Sequence, residues 1–167
     1  EGPGELAARF QAASTYSTSG LEELGRGGDS SGDGTTLFMS ISCLEHIHHF
    51  DAAFDVMAQL GTTEAAHVHL VNFSNHTSRD KPFEGLYETN RDSYVRQWGG
   101  HINGLRPPDV LEAFKVRQVG VQCVVLDERP ETLPERIHPW WTERYSRETL
   151  SVRAALFLTE RFFGASV

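Results

Sequence analysis

The stretch from Leu37 to Phe73 constrains the fold more than any other part of the chain. Leu37-Phe-Met-Ser-Ile-Ser42 is a short apolar run, and Ala65 to Phe73 is another, carrying Val68, Leu70 and Val71. Between them, apolar residues recur at Leu44, Ile47, Phe50, Phe54, Met57 and Leu60. Gaps of three and four residues put these on one helical face. The spacing predicts strand, helix, strand, with the helix opening at Cys43 and stopped by Gly61. Strands joined through a crossover helix run parallel. Ligands of such sheets bind at the carboxyl ends of the strands. Here those ends carry Ser42, Cys43, Glu45 and His46 on one side, and Asn72, Asn75 and His76 on the other. No strand with a glycine-rich turn precedes this unit.

The flanking segments give weaker signals. Upstream, Glu5–Ala13 reads as a short helix, Ser14–Ser19 as a weak edge strand, Leu21–Leu24 as one turn, and Gly25–Gly34 as an exposed loop. Ser74 to Arg106 lacks a strand signal and is long enough to suggest a lid or substrate loop. One short helix is expected inside it, capped by Asn90, packed through Tyr94, Val95 and Trp98, and stopped by Gly99-Gly100. Asn103-Gly104 is a turn. Pro107-Pro108 opens the next helix, which runs to about Gln118 and stops at Gly120. Val121–Leu126 is a strand rich in branched residues. Pro130–Tyr145 is a second irregular excursion, and Ser146 caps a turn through Leu150. Val152–Phe162 is expected to be a strand, paired antiparallel with Val121–Leu126.

A chain of 167 residues is one domain in size. The net charge of -8 argues against a nucleic-acid surface, which needs a basic face. No apolar segment approaches the roughly 20 residues that span a bilayer, and the N-terminal Glu-Gly-Pro-Gly does not read as a signal peptide. Cys43 and Cys123 have no metal-motif spacing and read as reduced thiols. Together these features point to a cytoplasmic protein without nucleic-acid or membrane partners.

Several words of the sequence, in this order, resemble the C-terminal half of a class I S-adenosylmethionine-dependent methyltransferase. Ser42-Cys-Leu-Glu-His46 is similar to the family's Ser-x-x-Leu-Glu-His pattern after its fourth strand, one residue shorter. Gln59-Leu-Gly61 looks like a shortened Leu-Lys-Pro-Gly-Gly turn. Val71-Asn-Phe-Ser-Asn-His76 is similar to a strand end in Asp-Phe-Ser-Asp-His, and Asn103 to Val110 to an Asn-x-Leu-Arg-x-Ser-Asp helix start. Ser146-Arg-Glu-Thr-Leu150 resembles the turn into the last strand. The resemblance spans roughly Leu37 to Phe162. It implies an α/β fold: a partial Rossmann-like methyltransferase sheet of late parallel strands and a C-terminal antiparallel hairpin, with flanking helices. The family's glycine-rich cofactor loop and its ribose-binding acid have no counterpart here. The chain is therefore expected to begin after the second strand, with an exposed apolar sheet edge that invites a homodimer or needs the missing N-terminal segment.

The resemblance also implies roles. S-adenosylmethionine is the cofactor, and a small molecule or glycan-type compound is the acceptor. Ser42, Cys43 and Leu44 fall where the family contacts the adenosine side; as plain sequence they form a strand-to-helix turn. His46 and His76 stand at adjacent strand ends, where a general base for methyl transfer belongs. His46 has a plainer role open to it, bonding backbone at a helix start, and Glu45 suits the same role. Tyr87, Asn103, Arg106 and His138 lie in the long excursions and are candidates for the acceptor side. Arg106 can clamp a carboxylate or phosphate, or pair on the surface with Asp109 or Glu112.

Two rivals compete with this reading. Glu45, His46, His48, His49, His67, His69 and His76 are dense enough to suggest a metal-binding protein, with Glu45 and His49 one helical turn apart. Against it, no His-x-x-x-His or Cys-x-x-Cys frame exists, and strand-face histidines also pack under helices. The other rival is a non-catalytic methyltransferase-like module that binds a partner.

Overall fold

The computed structural model of the protein describes residues 36–60, 65–97 and 102–159. The expectations for the segments between Glu5 and Gly34, for Gly61, for Trp98 to Gly100 and for the chain beyond Thr159 lie outside the described residues.

Four strands form one mixed sheet in the order β1-β2-β4-β3. They are β1 (Leu37–Ile41), β2 (Ala66–Asn72), β3 (Val121–Glu128) and β4 (Val152–Thr159). β1 and β2 are parallel, with Leu37 opposite Ala66 and Ile41 opposite Leu70. β4 runs antiparallel to β2 (Val68 opposite Leu158) and to β3 (Cys123 opposite Phe157). The β1-helix-β2 unit and the antiparallel closing pair are therefore both present. The helices are α1 (Phe50–Leu60), α2 (Arg91–Gln97), α3 (Pro107–Lys115), α4 (Pro139–Thr142) and α5 (Arg147–Ser151).

α1 and α3 cover one face of the sheet. Phe50, Phe54, Met57, Val110, Ala113 and Phe114 meet Val71, Ala155 and Phe157 there. Phe54 and Phe114 touch edge to face across the helix pair, with ring centroids 4.6 Å apart. The other side of β1 is open: Leu37, Met39 and Ile41 are 53%, 66% and 68% exposed. β1 is thus buried on one face rather than two, and it is an edge strand among the described residues.

The two excursions that look irregular in sequence build a second core of their own. Phe83, Leu86, Tyr87, Tyr94 and Ile102 from the first pack on Trp141 from the second and on Leu150 of α5. Gly104, at φ +68, lets the chain turn there, and a Cβ would meet Arg91 Cγ at 3.2 Å.

Local signals explain most element ends. Asn90 Oδ1 accepts the Ser93 amide at 2.8 Å and caps α2. Ser146 Oγ accepts the Thr149 amide at 3.2 Å and caps α5. Two boundaries differ from expectation. α3 is closed by Gln118 in left-handed backbone (φ 59) rather than by Gly120. The Val119 amide bonds the Phe114 carbonyl and the Gln118 amide the Lys115 carbonyl, the paired bonds of a Schellman ending. The helix expected from Cys43 is broken. Leu44–His46 is a single 3-10 turn, Ile47 is extended, and α1 begins at Phe50. Asn103 causes the break: its Nδ2 donates to the carbonyls of Leu44 (2.8 Å) and Ile47 (3.0 Å), and its amide donates to the Glu45 carbonyl (2.7 Å). These bonds stabilise the non-helical course of the chain, and the Leu44 carbonyl accepts the Ile47 amide as well, at 3.3 Å. Glu45 and His49 are therefore not one helical turn apart.

Candidate functional site

The 3-10 turn after β1 and the loop after β2 bring Glu45, His46 and His76 together. His76 Nε2 lies 3.8 Å from Glu45 Oε1. The His46 and His76 rings meet edge-on with centroids 5.0 Å apart. Glu45 is buried at 3% exposure, whereas His46 and His76 open to solvent. His76 sits at φ +60, a left-handed turn that aims the loop back over β1.

The electrostatics follow from burial. Desolvation raises the Glu45 carboxyl above its ordinary value, opposed by the backbone amides of Glu45 and Asn72, by His46 and by the Ser42 hydroxyl. The Asn72 amide reaches Glu45 Oε1 at 3.3 Å. Glu45 Oε2 is buried and has no hydrogen-bond partner among the described residues. Burial also lowers the His76 imidazole, and the His46 charge adds to that, against a hydrogen bond with the Asn72 backbone. A neutral imidazole near pH 7 is the form that accepts a proton or a metal.

Beside His76 lies a shallow crevice of about 300 Å3, lined by Asn72, Ser74, His76, Ser78, Arg79 and Arg153. Its lining is hydroxyl, amide, imidazole and guanidinium, a surface suited to a polar or anionic molecule. Arg153 is half committed, through its 2.8 Å bond to Asp127. A larger open groove of about 610 Å3 lies between α1 and α3, next to His49, Asp51 and Glu112. It holds no buried, unpartnered polar group among the described residues, so the strand-end trio is the stronger candidate.

The remaining sequence candidates are placed elsewhere. Ser42 (φ 46) and Cys43 form an exposed turn at the end of β1. Leu44 turns its side chain into the core. Arg106 is fully buried, neither a surface ion pair nor open to a ligand. Its Nη1 donates to Tyr87 Oη and its Nη2 to the Phe73 carbonyl, both at 2.9 Å. Its guanidinium carbon lies 5.4 Å from the ring centres of Phe73 and Tyr87 and 5.8 Å from that of Trp141. Tyr87 is buried with it and donates to the Leu150 carbonyl at 2.7 Å. Burial pushes the Tyr87 phenol up to about 12. Asn103 is the buried tie described above. His138 caps α4, its Nδ1 accepting the Trp140 amide at 3.1 Å. Tyr87 and Arg106 are thus brought together, but as a strut joining β2, α3 and the second core. Ser74, Ser78, Arg79 and Arg153, which line the crevice, carry no distinguishing sequence signal. Only their closeness in sequence to Asn72 and His76, or to the start of the last strand, hints at them.

No protein-family model matches the chain, and comparison with the curated proteins gives no match.

Proposed function

We propose that the chain carries the acceptor side of an S-adenosylmethionine-dependent methyl transfer to a small polar molecule of glycan type. The observation that carries this reading is the strand order. The last strand enters antiparallel between the second parallel strand and its own hairpin partner, as the closing strands of a class I methyltransferase sheet do. The strand ends that face ligands in such sheets are the ones holding Glu45, His46 and His76.

The cofactor side is tested by the turn at Ser42 and Cys43. Both side chains are exposed beside Ile41, giving a small, partly apolar ledge that fits the adenosine end. Leu44 contributes main chain alone, because its side chain is in the core. When bound, S-adenosylmethionine supplies an electrophilic sulfonium methyl group. The chain's own residues do the rest. The crevice at Ser74, Ser78, Arg79 and Arg153 orients the acceptor by hydrogen bonds. His76, neutral because burial disfavours its charged form, takes the acceptor's proton. Glu45 then stabilises the imidazolium from 3.8 Å.

Calorimetric titration with S-adenosylhomocysteine tests the reading. The expected result is binding weaker than the roughly micromolar strength of a complete site, since the glycine-rich loop and ribose-binding acid have no counterpart here, and its loss in Cys43→Trp, which blocks the ledge without touching the core. A folded chain that shows no heat of binding overturns the proposal for this polypeptide.

A further inference from the structure

We infer that Glu45, His46 and His76 form a binding site for a divalent transition-metal ion. Three donors converge there: one carboxylate oxygen and one ring nitrogen from each histidine lie within 4.8 Å of one another. Bonds of about 2.0–2.2 Å to a common ion set neighbouring donors about 3 Å apart. The donors must therefore close by roughly 1–2 Å. His46 and His76 are exposed at the mouth of the site, and rotation of the two imidazoles about their side-chain bonds is the movement that closure requires.

Independently, Glu45 points to a missing ligand. Its side chain is 97% buried by the 3% exposure it retains, yet Oε2 lacks any hydrogen-bond partner among the described residues. Buried polar atoms are paired in the great majority of cases, and an orphan is costly. A cation bound at the carboxylate offsets the cost of burying it. Two imidazole nitrogens and one carboxylate favour the borderline ions of the manganese-to-zinc series over magnesium or calcium, which prefer all-oxygen sites. Three protein ligands leave positions open on the exposed, histidine side, where the crevice begins. An ion there would take an oxygen of the molecule in the crevice, so the preferred ligand class is a hydroxyl compound.

The inference goes beyond the methyl-transfer reading and does not depend on it. A bound ion would commit the acceptor nitrogens of His46 and His76, so metal loading and proton acceptance by His76 exclude one another at any one moment.

Titration of the tag-free protein with cobalt(II), followed by its visible d–d absorption, tests the site. The expected result is one equivalent bound, displaced by zinc. His46→Ala/His76→Ala should weaken binding by more than about 100-fold, and Glu45→Gln should weaken it too, with unchanged circular dichroism in each case. His49→Ala should bind like wild type. Folded wild-type protein that develops no cobalt band, or a double variant that binds undiminished, overturns the inference. Neither result bears on S-adenosylhomocysteine binding, so the two proposals fail separately.

Discussion

His67 and His69 lie on β2 beneath α1 and α3, whereas His46 and His76 lie beyond the ends of β1 and β2, beside Glu45. The first pair is sealed. His67 stacks on Phe38 with ring centroids 5.1 Å apart, and both rings contact Phe114 of α3. Ser40 Oγ meets His69 Nδ1 at 2.8 Å, and His69 Nε2 meets His67 Nδ1 at 3.4 Å. The second pair faces solvent and a buried carboxylate. Four imidazoles from one strand-helix-strand unit thus divide into sealed and solvent-facing by position alone. A residue inside a strand inherits the helix above it. A residue just past the strand's carboxyl end is held by the sheet yet left uncovered.

The largest expected effect tests the solvent-facing pair. On the methyl-transfer reading, His76→Gln should lower the rate by about 10²–10⁴-fold while leaving the melting temperature within the usual scatter of surface variants. His69→Gln should do the reverse. A rate loss of equal size in both variants would erase the distinction.

The next effect tests the sealed pair through pH. Burial holds the His69 imidazole down to about 4, with the His67 charge adding to it, against an ordinary value of 6.5. The fold therefore prefers neutral His69. Its contribution is full above pH 6.5 and is lost as pH falls from 6.5 towards 4. The loss amounts to about 3 kcal/mol at the acid end. Denaturant melts across that window should show this fall, and His69→Leu should flatten it. A wild-type curve level from pH 7 to 4 would show that His69 is not sealed.

A smaller effect probes what holds the trio in place. Asn103→Ala removes the side-chain donor to the carbonyls of Leu44 and Ile47, leaving Leu44 only the Ile47 amide, at a cost of about 1–3 kcal/mol. It should also loosen the turn bearing Glu45 and His46, so cobalt binding should weaken alongside stability. Stability loss with unchanged metal affinity would show that the turn holds itself.

Much of this arrangement is legible in the sequence, for local reasons. Apolar spacing marks β1, α1 and β2; Asn90, Pro107 and Ser146 mark helix starts; alternation puts His67 and His69 on one face. What escapes is set by distant partners. Nothing near Cys43 announces that Asn103 will hold the carbonyls of Leu44 and Ile47 and delay α1 to Phe50. Nothing near Arg106 announces burial, since an arginine before two prolines looks like a surface helix start. Its aromatic surroundings come from Phe73, Tyr87 and Trp141, three separate segments. The strand-end trio is half legible: each histidine stands out in its own word, but their convergence beside Glu45 needs the loop after β2 to meet the turn after β1.

The position of β4 has a consequence for how the molecule comes into being. It is the last described strand in the chain, yet it fills the gap between β2 and β3, pairing with both. While a ribosome is still making the segment before Val152, β2 and β3 have no common neighbour, and the β1–β2 unit carries an unsatisfied edge on the side β4 will occupy. Pairings such as Val68 with Leu158 span most of the described chain, the long sequence separation that slows folding. The nascent protein must therefore wait, with apolar strands exposed, for β4 to emerge. That interval is when chaperones would matter most to its yield.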